Sequence, residues 1–173
     1  MAIYVYTPDS DTYDSLSLPS GRAYDVVNQL LGTPTVETWR PIRVQVHKGE
    51  KRGDFPSLIG HLPVFSERAL SALRPLIENE VEVLSLKGST TPLYAIHILD
   101  LVDCLDEAKS GVKRFPGGGI MHVDRPVFRD GCVDGKHIFK IRDAPLKDVY
   151  VSEEFKRRAE EAGLEGVVFR QAT

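Results

Sequence analysis

Apolar and polar residues alternate with a period of two in several parts of the chain, a pattern typical of strands that keep one face in solvent. Segments 42–47 and 80–86 both alternate in this way. Segment 93–101 is almost continuously apolar, as expected of a central strand covered on both faces. We expect segments 80–86 and 93–101 to form a hairpin through the loop 87–92.

Two other segments carry the spacing of amphipathic helices. After Ser66, apolar residues recur at intervals of three and four as far as Ile77, and Ser66 is placed to cap the helix. A second helix is predicted to begin after Ser152 and to end at Gly163. Segment 24–31 is too short for its periodicity to distinguish a helix from a strand.

Further short strands are predicted at the amino terminus and in segments 120–128, 136–141 and 167–169. Strands and helices do not alternate regularly, as they would in a doubly wound parallel sheet. We therefore predict an α+β fold. We expect a single domain over residues 1–173, with a mainly antiparallel sheet and two or three helices.

Composition narrows the class of protein without giving its function. The chain has 173 residues, of which 42% are hydrophobic and 27% charged, enough for one ordinary globular core. Its formal net charge of −3 gives no electrostatic indication of nucleic acid binding. No uncharged apolar stretch approaches the roughly 20 residues that span a bilayer, and acids stand where a signal peptide would be basic. We expect a cytoplasmic protein that binds neither nucleic acid nor membrane.

The residues that bind metals or act as nucleophiles are scattered. The two cysteines, Cys104 and Cys132, do not form a CxxC pair, so we expect free, buried thiols in a reducing compartment. The five histidines follow one another at 14 to 36 residues, which matches no metal-binding motif. We expect no metal and no cofactor, and we predict that His61, His97, Cys104 and Asp106 do not meet in one pocket.

Other signs of catalysis are weak. The run Gly117-Gly118-Gly119 could form an anion-binding nest, but no phosphate-binding fingerprint accompanies it and a flexible hairpin tip is the simpler interpretation. There is no nucleophile elbow, and the apolar neighbours of Cys104 would raise the pKa of its thiol. An enzyme whose site is assembled from scattered histidines and carboxylates remains an alternative.

Acidic side chains gather at two places that a basic partner could contact. In the strand predicted from residue 80, Glu80 and Glu82 would share one face, with Glu78 just before them. We expect this row of charges to stand in solvent. The loop after the first strand holds a second cluster. The candidate partner-binding residues are Glu78, Glu80 and Glu82, followed by Asp9, Asp11 and Asp14.

The order of several short motifs resembles a known family. The motifs are Trp39-Arg40-Pro41-Ile42, Asp54-Phe55-Pro56-Ser57-Leu58, Pro63 to Ala69, Val102 to Asp106, Ile138 to Ile141, Val149 to Phe155 and Gly163 to Phe169. Together, over about residues 39–169, they are similar to the polymorphic-toxin immunity family numbered eleven, formerly a domain of unknown function. The resemblance implies a non-enzymatic, cytoplasmic bacterial antitoxin that binds the toxin encoded beside it and has no catalytic residues.

The sequence thus predicts an immunity protein that neutralises a cognate toxin domain by direct contact. Acidic contacts would suit a nuclease, whose substrate site must be basic. A regulatory or adaptor module that binds another protein is the alternative to this function. We expect discrimination among partners to lie on loops, and the motif residues to form the scaffold. The expected core anchors are Trp39, Phe55, Pro56, Phe65, Phe139 and Phe155.

Overall fold

The computed structural model describes residues 1–172, in which three α-helices and thirteen strands are found. The helices are α1 (Ala23–Gln29), α2 (Glu67–Ile77) and α3 (Glu153–Glu161), and a single 3-10 turn covers Ile59–His61. The strands are β1 (Ile3–Pro8), β2 (Ser15–Ser17), β3 (Ile42–Arg43), β4 (Gln45–His47), β5 (Val64–Ser66), β6 (Val81–Lys87), β7 (Leu93–Ile98), β8 (Leu101–Val102), β9 (Val112–Arg114), β10 (Ile120–Val123), β11 (Ile138–Ile141), β12 (Val149–Ser152) and β13 (Val167–Gln171).

Most of these strands belong to two larger sheets. The first has the order β13-β1-β12-β11-β8 and is antiparallel except between β11 and β8. The second has the order β3-β6-β7-β5 and is antiparallel except between β3 and β6. The pairs β9–β10 and β2–β4 form two small antiparallel sheets. The predicted α+β class, the mainly antiparallel pairing and the β6–β7 hairpin are confirmed.

The two predicted caps hold the helices that cover the core. The Ser66 hydroxyl accepts a hydrogen bond from the Ala69 N–H at 3.1 Å, and the Ser152 hydroxyl accepts one from the Phe155 N–H at 3.1 Å. Helices α2 and α3 pack against each other, α2 also against β5 and β7, and α3 against β1 and β12. The ambiguous segment 24–31 forms most of α1.

The largest apolar cluster takes side chains from both large sheets and from the two capped helices. It contains Phe65 and Ile96 from one sheet, Val151 from the other, Leu73 from α2 and Phe155 from α3. A shared core of this kind fixes the two sheets relative to each other. The motif residues Phe55, Pro56, Phe65, Phe139 and Phe155 are buried as predicted, whereas Trp39 is half-buried and donates its indole N–H to the Ser85 carbonyl at 2.9 Å.

The expectation of free thiols is wrong, because Cys104 and Cys132 form a disulfide with their Cα atoms 5.7 Å apart. The Arg129 N–H donates to the Cys104 carbonyl at 2.8 Å, and the Cys132 N–H turns back to the Arg129 carbonyl at 3.1 Å. This turn places the second cysteine beside the first. The pairing depends on contacts between distant segments, so the sequence separation of 28 residues could not reveal it.

Candidate partner-binding surface

Glu82, predicted to stand in solvent, is buried beneath the loop that follows α1. Its carboxylate accepts hydrogen bonds from the Thr35 N–H at 2.8 and 3.0 Å and from the Val36 N–H at 3.0 Å. The His97 Nδ1 lies 2.9 Å from the same carboxylate. The expectation that Glu82 is exposed is therefore wrong, because a loop distant in sequence covers that face of β6.

His97 completes this network from the neighbouring strand β7. Its Nε2 lies 3.0 Å from the Gly32 N–H, so this nitrogen accepts a hydrogen bond while Nδ1 donates to Glu82. The ring is therefore neutral, in agreement with burial, which lowers the pKa of His97 despite the nearby Glu82 carboxylate. Burial alone would raise the pKa of Glu82, but the hydrogen bonds from Val36, Thr35 and His97 hold it below its ordinary value.

Glu80 connects the two large sheets. Its carboxylate accepts hydrogen bonds from the His137 N–H at 2.9 and 3.1 Å and from the Ile138 N–H at 2.7 Å, at the start of β11. The half-buried position raises the pKa of this carboxyl, although the two N–H donors oppose the shift. The predicted exposure of Glu80 is wrong as well, because its side chain is used to join one sheet to the other.

The remaining acidic candidates lie closer to solvent. Glu78 is exposed at the end of α2. In the loop after β1, an oxygen of Asp9 accepts the N–H groups of Asp11 and Thr12, each at 3.2 Å. Asp14 accepts the Gly49 N–H at 2.9 Å, and Asp11 is exposed. Among the candidates in the described part of the chain, Glu78 and Asp11 are thus the exposed carboxylates to which no hydrogen bond is assigned.

Three of the motifs that resemble the family meet at the buried carboxylate of Asp54. One oxygen accepts the Ser66 hydroxyl at 2.7 Å, and the other accepts the Glu165 N–H at 3.0 Å. The Arg68 guanidinium approaches that second oxygen at 3.3 Å and also donates to the carbonyls of Ala162 and Gly163 at the end of α3. Asp54 therefore fixes the start of α2 to the end of α3.

Packing around this junction leaves little space for side chains. A Cβ added to Gly53 would lie 2.7 Å from the Tyr13 ring and 3.0 Å from the Glu165 carbonyl oxygen. A groove of about 520 Å³ runs beside the junction, lined among others by Lys48, Arg52 and Arg68. Positive and negative side chains both line the groove, and Asp54 already has its hydrogen-bond partners. The junction is accordingly a structural network.

A pocket that the sequence analysis did not identify opens beside the β9–β10 hairpin. We call it the hairpin pocket; its volume is about 220 Å³, and its lining includes His61, Met121, His122, Lys147, Asp148 and Tyr150. The 3-10 turn supplies His61, β10 supplies Met121 and His122, and the segment before β12 supplies Lys147 and Asp148. Because the turn, the hairpin and this segment are far apart in sequence, no local spacing indicated the pocket.

The predicted separation of His61 from His97 agrees with their surroundings, because His61 lines the hairpin pocket and His97 is bonded to Glu82. Over residues 1–172, no group of three or more histidine, cysteine or acidic side chains has the arrangement of a metal site. No helix in the described part of the chain combines the length and the apolar character needed to cross a bilayer.

A family match is found for most of the chain. The model of a family described as the immunity protein family Imm11 matches residues 41–173. This range includes the Asp54 junction, Glu80, Glu82 and the whole hairpin pocket. Among proteins of curated function, none matches the chain.

Proposed function

Because the chain belongs to the Imm11 immunity protein family, we propose that it is an antitoxin that neutralises one cognate bacterial toxin domain by direct contact. The family match over residues 41–173 carries this proposal. The family implies a non-enzymatic role, in which the protein supplies a rigid body with a complementary surface.

The internal networks of the molecule support such a role. The carboxylates of Asp54, Glu80 and Glu82 are bound by backbone N–H groups from distant segments. They hold loops and sheet edges in fixed positions before any partner arrives. A preorganised surface loses little conformational entropy on binding, which favours tight and stoichiometric inhibition.

The acidic candidates take different roles within this proposal. Asp11 and Glu78 present exposed carboxylates that would complement a basic toxin surface. Asp9 and Asp14 fix the loop that presents Asp11, and Glu80 and Glu82 act as positioning residues. A nuclease is the class of toxin best suited to acidic contacts, because its substrate site is basic.

The direct test uses the toxic domain encoded in the adjacent reading frame. Co-expression with the present chain should abolish toxicity, and the purified pair should elute as one complex of equal stoichiometry. Full toxicity in the presence of an equimolar amount of the folded chain would reject the proposal.

A second experiment tests the acidic contacts alone. The double variant Asp11→Lys and Glu78→Lys should associate more slowly with the toxin while its melting temperature stays nearly unchanged, since exposed charges contribute little to folding. Asp25→Lys, at an exposed position of α1, is the matched control. Unchanged association by the double variant would show that the toxin binds elsewhere.

A further inference from the structure

The hairpin pocket contains polar groups that the chain itself does not satisfy. The Lys147 ammonium has no carboxylate within 4.0 Å among the described residues, and its one assigned contact is the Phe115 ring, 6.0 Å from nitrogen to centroid. The Tyr150 hydroxyl has no assigned hydrogen bond within residues 1–172, and it is not among the fully enclosed unpaired polar atoms of these residues, where only the Tyr6 hydroxyl is found, so it keeps contact with the open pocket. Polar groups in such positions are normally paired with water or with a binding partner.

Two amines, Lys140 and Lys147, and one carboxylate, Asp148, lie around the pocket, so the balance of charge favours an anionic group. Burial lowers the pKa of His61; the Asp148 carboxylate opposes this shift, and the two amines add to it. Burial lowers the pKa of Lys140 to about 8, so this amine still carries charge near neutral pH. Asp124 lies 3.9 Å from the His122 ring, on the exposed side of the hairpin where solvent screens it.

Exposed apolar side chains lie at the pocket and next to it. Phe115, Met121 and Leu146 are 47%, 40% and 42% exposed, and they make up three of the seven large exposed hydrophobic residues assigned in residues 1–172. Phe115 contacts Lys147, Met121 lines the pocket, and Leu146 precedes Lys147 in the chain. An apolar rim around a few unpaired polar groups is the usual composition of the energetic centre of a protein interface.

His61 adds a conformational feature at the same place. Its φ of 50° is the only positive value among the non-glycine residues described. A histidine in this region of backbone space costs free energy, and such residues cluster at functional sites. This conformation brings the His61 side chain to the wall of the hairpin pocket and of a second pocket that is also lined by Tyr6 and Leu58.

We propose that the hairpin pocket is a docking point for the toxin domain and that it receives an acidic side chain of the toxin. Lys147 and Tyr150 would bind the carboxylate, and Phe115, Met121 and Leu146 would pack around it. The pocket volume is about 220 Å³. At about 30 Å³ for each water molecule, this space corresponds to roughly seven waters, which leaves room for one side chain together with some water. This inference rests on the proposed function and adds the surface and the chemistry of the contact.

Binding of the purified toxin domain to variants of the full chain tests the inference, with affinity measured by calorimetry and folding by melting temperature. Lys147→Glu and Met121→Asp should each weaken binding by about tenfold or more, without a comparable change in melting temperature. The controls are Lys87→Glu, which makes the same charge reversal, and Val168→Asp, which likewise replaces an apolar side chain by aspartate; both positions are exposed and lie outside the hairpin pocket. Both controls should bind like the wild type.

The outcomes separate this inference from the proposed function. If the wild type does not bind the toxin, the proposed function fails. If the wild type binds and both pocket variants bind equally well, the proposed function stands and the docking point is overturned. If only Met121→Asp weakens binding, the surface is correct but the acidic occupant is wrong. Restored binding of Lys147→Glu to a toxin with one acid changed to lysine would identify that acid as the occupant.

Discussion

The Glu82–His97 network and the hairpin pocket each gather ionisable side chains, but they use them in opposite ways. In the network, each carboxylate oxygen of Glu82 accepts at least one hydrogen bond, and both ring nitrogens of His97 have partners within the chain. In the pocket, the Lys147 ammonium and the Tyr150 hydroxyl have no assigned hydrogen bond among residues 1–172. Internally satisfied groups support the fold, whereas unsatisfied groups remain available to a partner.

The largest expected effect comes from removing one member of the network. Glu82→Ala would leave the Thr35 and Val36 N–H groups and the His97 ring without an acceptor, and should lower the free energy of unfolding by about 3–5 kcal/mol. Urea denaturation measures this change. Glu78→Ala, at an exposed position, should stay within about 0.5 kcal/mol of the wild type. A Glu82→Ala cost below about 1 kcal/mol would contradict the distinction between the two regions.

The pH dependence of stability should reveal the same network. The folded state holds the pKa of His97 below that of the unfolded chain, so unfolding takes up a proton and stability falls as pH drops below about 6.5. Glu82 adds a loss below about 4.5, because its pKa is also lowered on folding. Glu80 acts with the opposite sign, because folding raises its pKa.

Substitution isolates the contribution of His97 to this profile. Chemical denaturation between pH 7 and 5 should give a shallower slope for His97→Gln, by up to about 1.4 kcal/mol per pH unit. His122→Gln, an exposed histidine of the hairpin pocket, is the control for removing a histidine. An unchanged slope for His97→Gln would mean that the ring does not remain neutral in the folded protein.

Removal of a helix cap should have a smaller effect. The Ser152 hydroxyl accepts the Phe155 N–H and lies 2.9 Å from Nδ1 of His137, whose backbone is bound by Glu80. Ser152→Ala should therefore cost about 1–2 kcal/mol of unfolding free energy. Ser71→Ala in the exposed middle of α2 should be neutral or slightly stabilising, because alanine has the higher helix propensity. Equal effects of the two substitutions would contradict the capping role.

The smallest effects on stability are expected in the hairpin pocket. Tyr150→Phe removes a hydroxyl that has no hydrogen bond within the described residues, and Lys147→Gln removes a charge with no ion-pair partner there. Each should change the free energy of unfolding by less than about 0.5 kcal/mol in thermal or urea denaturation. A loss above about 1 kcal/mol would show that these groups serve the fold after all.

The sequence predicted the features that depend on neighbouring residues. The alternation in segment 80–86 and the apolar run in segment 93–101 sufficed to predict the β6–β7 hairpin, and the serines before the two amphipathic helical patterns sufficed to predict both caps. The burial of Glu82 could not be predicted in this way, because the covering loop at Thr35 lies 47 residues away. The alternation of apolar and polar residues shows which side chains share a face of a strand, but it does not show which other segment lies against that face.

The sequence gives only a weak indication of the hairpin pocket. Phe115 and Met121 flank the glycine run at the hairpin tip, where large apolar residues are unusual unless they contact something. His61 and Lys147 reach the same place through separate crossings of the chain, so their meeting depends on tertiary structure alone.

The disulfide between Cys104 and Cys132 also determines how the protein would respond to limited proteolysis. It encloses the whole β9–β10 hairpin, whose tip at Gly117–Gly119 is exposed and offers Arg114 to trypsin. A cut after Arg114 would leave one fragment with Cys104 and another with Cys132. The two pieces would migrate together on a denaturing gel without reductant and would separate only after reduction. A nicked molecule therefore keeps one covalent framework.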